Sequence, residues 1–137
     1  MALILTLDTA TKNCSLALCD NGIILESIDH NKGSFSHSEK LHIFIEELFT
    51  NTGKKLSELD AVAVSKGPGS YTGLRIGVST AKGLCYALDI PLLAIDTLKG
   101  LSQRVVEGDF NLDDNAIICP MLDARRMEVY CSTYSIN

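Results

Sequence analysis

The amino-acid sequence predicts an α/β fold in which a mixed sheet is flanked by helices. Three observations support this: short apolar runs typical of strands, helical apolar periodicity between the later runs, and a hydrophobic content of 46% in 137 residues. That content is typical of a globular chain with a sizeable core rather than a disordered one. The length allows one ordinary domain, or one domain and a fragment of another.

The first part of the chain predicts three strands, at 2–7, 14–19 and 23–28. The first run is almost continuously apolar, as in a central strand that is buried on both faces. Between the second and third runs, Asp20-Asn21-Gly22 favours a hairpin turn because Asn and Gly tolerate positive φ. Three strands joined by short turns make an antiparallel meander.

An amphipathic helix is predicted next. Ser36 and Glu39 have the spacing of a capping box, and Gly53 is a typical stop. Between these ends the apolar residues recur at helical spacing and define one face: Leu41, Phe44, Ile45, Leu48 and Phe49.

The glycine-rich segment 66–77 lies between a predicted strand at 61–64 and a second helical pattern. Pro68-Gly69 favours a type II turn with positive φ at the glycine, and Ser70 or Thr72 is suited to cap the helix. A strand, a glycine turn and a helix N-terminus leave backbone N–H groups free. Such a place suits an anion, and equally a tight turn that binds nothing.

Hydroxyl groups that follow the first strand could meet a phosphate near the same turn. The candidate phosphate-binding residues are Asp8, Thr9, Thr11, Gly67, Gly69 and Ser70. The alternative for Asp8 is that its carboxylate simply caps a turn.

The second helix carries three stripes: one apolar, one polar and one of small residues. Three glycines inside a helix cost about 1 kcal/mol each relative to alanine, so a closely packed neighbour should offset them. The neighbour is either the chain's own first helix or a helix of another subunit. For the second case, the candidate partner-interface residues lie off the core stripe of each helix: His42, Ile43, Glu46, Gly73, Ile76, Gly77 and Thr80.

The rest of the chain divides at the acidic, turn-rich residues 108–115. The remaining elements are predicted as a strand, a short helix and two further strands, at 90–95, 97–106, 115–122 and 128–134. Residues 1–107 then form a first lobe, and 108–137 begin a second one. Because a hairpin is marginal alone, the second lobe is expected to be cut early.

This order of elements fits a ribonuclease H-like arrangement, which the actin-like ATPases duplicate as two lobes. A nuclease of this fold needs several carboxylates around two metal ions, and Lys66 stands where one carboxylate would be expected. His37 and His42 do not share a helix face, and no Ser/His/Asp or Cys/His pair has a useful spacing. The sequence therefore disfavours a nuclease and leaves a phosphate-binding ATPase as the enzyme alternative.

Charge and cysteine content limit the partners and the cell compartment that the sequence predicts. A formal net charge of −5 disfavours binding of nucleic acid by this chain alone. Five cysteines without CxxC spacing predict reduced thiols, and no run resembles a signal peptide or reaches membrane-spanning length. We therefore expect a cytoplasmic protein without membrane contact.

Four segments, 8–11, 37–41, 67–77 and 121–130, carry a resemblance to a known family. Together they are similar to TsaB (YeaZ), the dimerisation subunits of the bacterial complex that synthesises threonylcarbamoyladenosine in tRNA. These subunits have an actin-like, two-lobed fold and were once classed with M22 glycoproteases. The resemblance implies a scaffold that binds a TsaD-like transferase, with a TsaE-like ATPase joining the complex. It also implies tRNA contact only through the complex, a homodimer in isolation, and ATP or ADP only at a subunit interface.

The same resemblance argues against catalysis by this chain. In the catalytic relatives, the strand after the second helix leads into Asn-His-x-x-Gly-His, whose two histidines bind a metal. The corresponding residues here are Thr97 and Leu101, which are not useful metal ligands. We therefore expect no metal, no cofactor of its own and no catalytic residue. The alternative is an ATP-binding or M22 glycoprotease-like enzyme.

Overall fold

The computed structural model describes residues 2–31, 37–108 and 110–136. Its main feature is a five-stranded mixed sheet with the strand order β3-β2-β1-β4-β5. The strands are β1 (Leu3–Asp8), β2 (Cys14–Asp20), β3 (Ile23–His30), β4 (Ala61–Gly67) and β5 (Leu92–Asp96). The predicted fold class is confirmed.

The first three strands form the predicted antiparallel meander, and β1 also pairs in parallel with β4. The turn between β2 and β3 has positive φ at Asn21 (53°) and Gly22 (81°), as the sequence predicts for this hairpin. Strand β4 pairs in parallel with β5, so helical crossovers supply the parallel half of the sheet.

The first helix, α1 (His37–Thr52), packs on β2 and β3 and contributes to the main core. Its predicted apolar face is confirmed, because Leu41, Ile45, Leu48 and Phe49 are buried. Gly53 follows the helix with φ of 66°. The predicted capping box at Ser36 lies outside the described residues.

The second helix, α2 (Tyr71–Leu88), begins at Ser70, whose Oγ accepts a hydrogen bond from the Gly73 N–H at 3.3 Å. Ser70 is thus the cap that the sequence predicts, but the predicted type II turn is wrong. The positive φ lies at Gly67 (115°), before a cis Gly67–Pro68 bond, and not at Gly69. The buried residues of α2 are Gly73, Gly77, Ala81 and Cys85.

The third helix, α3 (Thr97–Val106), packs on β4 and β5 at its predicted position. After it, each of the two predicted strands is divided into two short ones: β6 (Ile117–Ile118), β7 (Met121–Arg125), β8 (Glu128–Cys131) and β9 (Tyr134–Ser135). Strand β7 pairs with β8, and β6 with β9, in separate two-stranded sheets. The lobe boundary near 107 stays a prediction.

Candidate functional site

The loop between β1 and β2, residues 9–13, packs directly against the start of α2. Thr9 is fully buried, and its Oγ1 donates a hydrogen bond to the carbonyl oxygen of Gly73 at 2.7 Å. A methyl group at Gly73 would collide with the Thr9 carbonyl oxygen, and one at Gly77 would collide with Thr9 Oγ1. The β1–β2 loop therefore accounts for both glycines without another subunit.

The glycine-rich turn before α2 packs against the same loop. The Ser70 N–H donates to the Ala10 carbonyl at 2.6 Å, and a methyl group at Gly69 would collide with that carbonyl. The close approach of two backbones explains why a glycine is needed at position 69 even though its φ is ordinary. The Ser70 N–H, which the sequence predicted to be free for an anion, is therefore already hydrogen-bonded within the chain.

Only some of the candidate phosphate-binding residues lie at one place in the structure. Thr11, Gly69 and Ser70 line a cleft, whereas Asp8, Thr9 and Gly67 do not. Asp8 Oδ1 accepts a hydrogen bond from the Ala10 N–H at 2.9 Å, which is the turn-capping alternative. The prediction that Thr9 offers a hydroxyl to phosphate is wrong, because that hydroxyl is buried and donates to Gly73.

The cleft has a volume of about 700 Å³ and separates the β1–β2 loop and the start of α2 from the β7–β8 hairpin. Two cationic residues, Lys12 and Arg125, line it together with Asp123 and Tyr130. Sequence reasoning did not select these four residues, because nothing local brings residues 12 and 125 together. The Asp123 carboxylate accepts from the Arg125 N–H at 2.8 Å and so helps to shape the hairpin turn.

A hydrogen-bonded group lies beside the cleft at Asn13. Its Nδ2 donates to Ser15 Oγ at 2.9 Å and also to Asp29 Oδ1, and Ser15 Oγ donates to the same carboxylate at 2.9 Å. These hydrogen bonds stabilise the charged form and lower the pKa of Asp29. The group ties the β1–β2 loop to the edge strand β3.

The candidate partner-interface residues are also divided. On α1, His42, Ile43 and Glu46 are exposed as predicted, and on α2 Ile76 and Thr80 are half-buried. The prediction that Gly73 and Gly77 contact a partner is wrong. Both are buried against Thr9, so they cannot form the outer surface of α2. The role of the other five residues stays a prediction.

A groove of about 540 Å³ is lined mainly by α1 and the residues after it, with Leu84 lining it from α2, and we refer to it as the α1–α2 groove. It is lined by His42, Ile45, Glu46, Phe49, Thr50, Lys54, Leu56 and Leu84. Its apolar side chains include the buried Ile45 and Phe49, while exposed polar residues such as Glu46 and Thr50 stand at its edge. Lys54, Leu56 and Leu84 were not predicted as contact residues, because the groove depends on how two helices pack.

Thr97 and Leu101, at which the resemblance predicts that the metal ligands of the catalytic relatives are replaced, lie on α3. Asp96 caps that helix by accepting from the N–H groups of Leu98 (3.0 Å) and Lys99 (3.2 Å). Within the part of the chain that the structure describes, no group of three or more His, Cys, Asp or Glu side chains could hold a metal ion. Among those same residues, no helix has the length and apolarity needed to cross a membrane.

The five-stranded mixed sheet, with a cleft beyond the end of β1, defines a lobe of the actin-like, ribonuclease H-like class. Residues 28–137 match the family profile described as tRNA N6-adenosine threonylcarbamoyltransferase (TsaD). The chain belongs to this family, on the side of its TsaB (YeaZ) members.

Individual relatives agree with this assignment. The chain is 35% identical to the tRNA threonylcarbamoyladenosine biosynthesis protein TsaB of Haemophilus influenzae, over 94% of this chain and 52% of the relative. It is 31% identical to TsaB of Escherichia coli, over 96% of this chain and 54% of the relative. The solved YeaZ structure from Pseudomonas aeruginosa superposes with a TM-score of 0.87 at 35% identity, covering 98% of this chain and 61% of that one. The chain thus spans about half the length of the curated relatives it matches.

Proposed function

We propose that this chain acts in the synthesis of threonylcarbamoyladenosine in tRNA as a non-catalytic scaffold that binds and supports a TsaD-like transferase. The observation that carries the proposal is the similarity to proteins named TsaB over nearly the whole of the chain. The resemblance predicts that Thr97 and Leu101 replace the metal-binding histidines of the catalytic relatives, which supports a role without catalysis.

We place the contact with the transferase on the outer face of α1 and α2, around the α1–α2 groove. Partner surfaces commonly combine an apolar centre with a polar rim, and this groove has that composition. Ile43, which follows the groove residue His42 in the chain and is 59% exposed, adds apolar surface on α1. Ile76 and Thr80 lie on the half-buried side of α2. The same face supports the proposal of a homodimer in isolation, because a self-complementary surface can serve both associations.

The TsaE-like ATPase and tRNA are proposed as partners of the complex rather than of this chain alone. The net charge of −5 supports that proposal for tRNA, because phosphate affinity comes mainly from clustered Lys and Arg.

The proposal is tested by copurification and by titration of the chain with the TsaD-like transferase of the same cell. We expect a stable complex with a micromolar or tighter dissociation constant, since a standard-size interface supports about that affinity or better. A chain that is folded but does not bind the transferase at that concentration would contradict the scaffold role.

The second candidate function, ATP binding by this chain, is suggested by Lys12 and Arg125 in the cleft. Against it, the Thr9 hydroxyl and the Ser70 N–H are already engaged within the chain. Isothermal titration with ATP and magnesium separates the two proposals. Micromolar binding by the isolated chain would favour ATP binding as its function, and we expect no binding at that strength.

A further inference from the structure

The contact between Thr9 and α2 joins two parts of the molecule with different surroundings. Thr9 belongs to the loop whose next residues, Ala10 to Asn13, line the cleft. Its hydroxyl reaches the Gly73 carbonyl in the first turns of α2, and neither group is exposed. This hydrogen bond keeps the β1–β2 loop and α2 at a fixed distance. Moving them apart would break it and leave the buried Thr9 hydroxyl without a partner.

Gly73 and Gly77 meet different atoms of Thr9. At Gly73 a methyl group would collide with the Thr9 carbonyl oxygen, which belongs to the backbone and is present whatever residue stands at position 9. At Gly77 the collision is with Oγ1 alone, and the Cβ and Cγ2 atoms of Thr9 lie at an ordinary 3.4 Å. Thus only the requirement for glycine at position 77 depends on the Thr9 side chain.

We propose that Thr9 is a positioning residue that anchors the first half of α2 and thereby sets the partner-binding face of that helix. The second half of α2 has its own anchors in the core, Ala81 and Cys85. The first half carries Ile76, directly precedes Thr80, and is held at its buried side by Thr9. The anchor itself does not depend on the proposed function, but its effect on partner binding rests on the proposed function of the α1–α2 face.

The anchor is tested by substitutions at glycines in two backgrounds, the natural chain and Thr9→Ala. In the natural chain, Gly77→Ala should lower Tm because the methyl group displaces the Thr9 hydroxyl. In the Thr9→Ala background, Gly77→Ala should raise Tm, because the space is free and alanine favours helix more than glycine does. Gly73→Ala should lower Tm in both backgrounds, since its obstacle is backbone.

Gly83 supplies the matched control, because a methyl group there meets nothing within 4 Å. Gly83→Ala should raise Tm in both backgrounds. If Gly77→Ala lowers Tm equally with and without the Thr9 hydroxyl, the anchor is refuted. If the single variant Gly77→Ala does not fold, a folded Thr9→Ala/Gly77→Ala variant supports the anchor and an unfolded one refutes it.

The positioning role is tested by titration with the TsaD-like transferase. Thr9→Ala should weaken binding by up to about fivefold, because the complex must then hold α2 where the lost hydrogen bond held it, and Thr9→Ser, which keeps the hydroxyl, should restore it. Unchanged affinity in Thr9→Ala, or no recovery in Thr9→Ser, refutes positioning. If the natural chain itself does not bind the transferase, the proposed function has failed, the claim about the partner face falls with it, and the Tm comparison alone decides the anchor.

Discussion

At the scale of single residues, several polar groups of this chain form contacts within the fold and are not available to a ligand. Thr9 and Asp8, both candidates for phosphate from the sequence, serve a helix carbonyl and a loop N–H respectively. Cys14 is buried in the main core, where burial and the nearby Asp8 carboxylate raise the pKa of its thiol to about 11. A thiol with such a pKa is inert near neutral pH.

The Cys14 pKa gives a prediction about reactivity and pH. At pH 8 we expect thiol reagents to label the exposed Cys119 and Cys131 and to leave Cys14 unmodified. The pKa of Cys14 in the folded chain exceeds the ordinary thiol value of 9.0, so the stabilisation from the neutral thiol is complete below pH 9 and is lost between about pH 9 and 11.

The measurement is urea unfolding of the natural chain and Cys14→Ala across that range. The difference in free energy of unfolding between the two should be constant below pH 9 and should change in favour of Cys14→Ala above it. A constant difference up to pH 11 would contradict the raised pKa.

At the scale of elements, α2 shows what local sequence can predict about a helix and what it cannot. Its start was predictable, because Ser70 has the side chain that a helix N-terminus needs and it does accept from Gly73. Its packing was not, because Thr9 is 64 residues away from Gly73 in the chain. The same limit explains the turn: Gly69 approaches Ala10 and Gly67 takes the positive φ, whereas local turn statistics favour Gly69.

The cap gives a prediction for this helix. Ser70→Ala removes the acceptor for the Gly73 N–H and should lower the free energy of unfolding by about 1 kcal/mol. Thr72→Ala, at an exposed position in the same turn, is the matched control and should have little effect. Thermal or urea unfolding measures both, and an equal loss in the two variants would contradict the assignment of Ser70 as the cap.

At the scale of the whole molecule, the fold was predictable and the sites only in part. Apolar runs and helical periodicity in a single chain suffice to predict the five-stranded sheet, because each element must bury its own apolar face. The cleft and the α1–α2 groove depend on contacts between distant segments, so Arg125 and Leu84 were not found in advance. The exposed residues of α1 could be selected because a helix divides its residues between faces.

The proposed scaffold role depends on contact between the outer face of α1 and α2 and a TsaD-like transferase. The direct measurement is the affinity of that transferase for Ile43→Arg and for Ile24→Arg. The two isoleucines are similarly exposed, at 59% on α1 and 61% on the edge strand β3. Both variants should stay folded, because exposed positions tolerate polar residues.

We expect Ile43→Arg to weaken binding by about tenfold or more, because the contact would then enclose an unpaired charge, and Ile24→Arg to bind like the natural chain. Equal affinity of the two variants for the transferase would contradict a contact on this face.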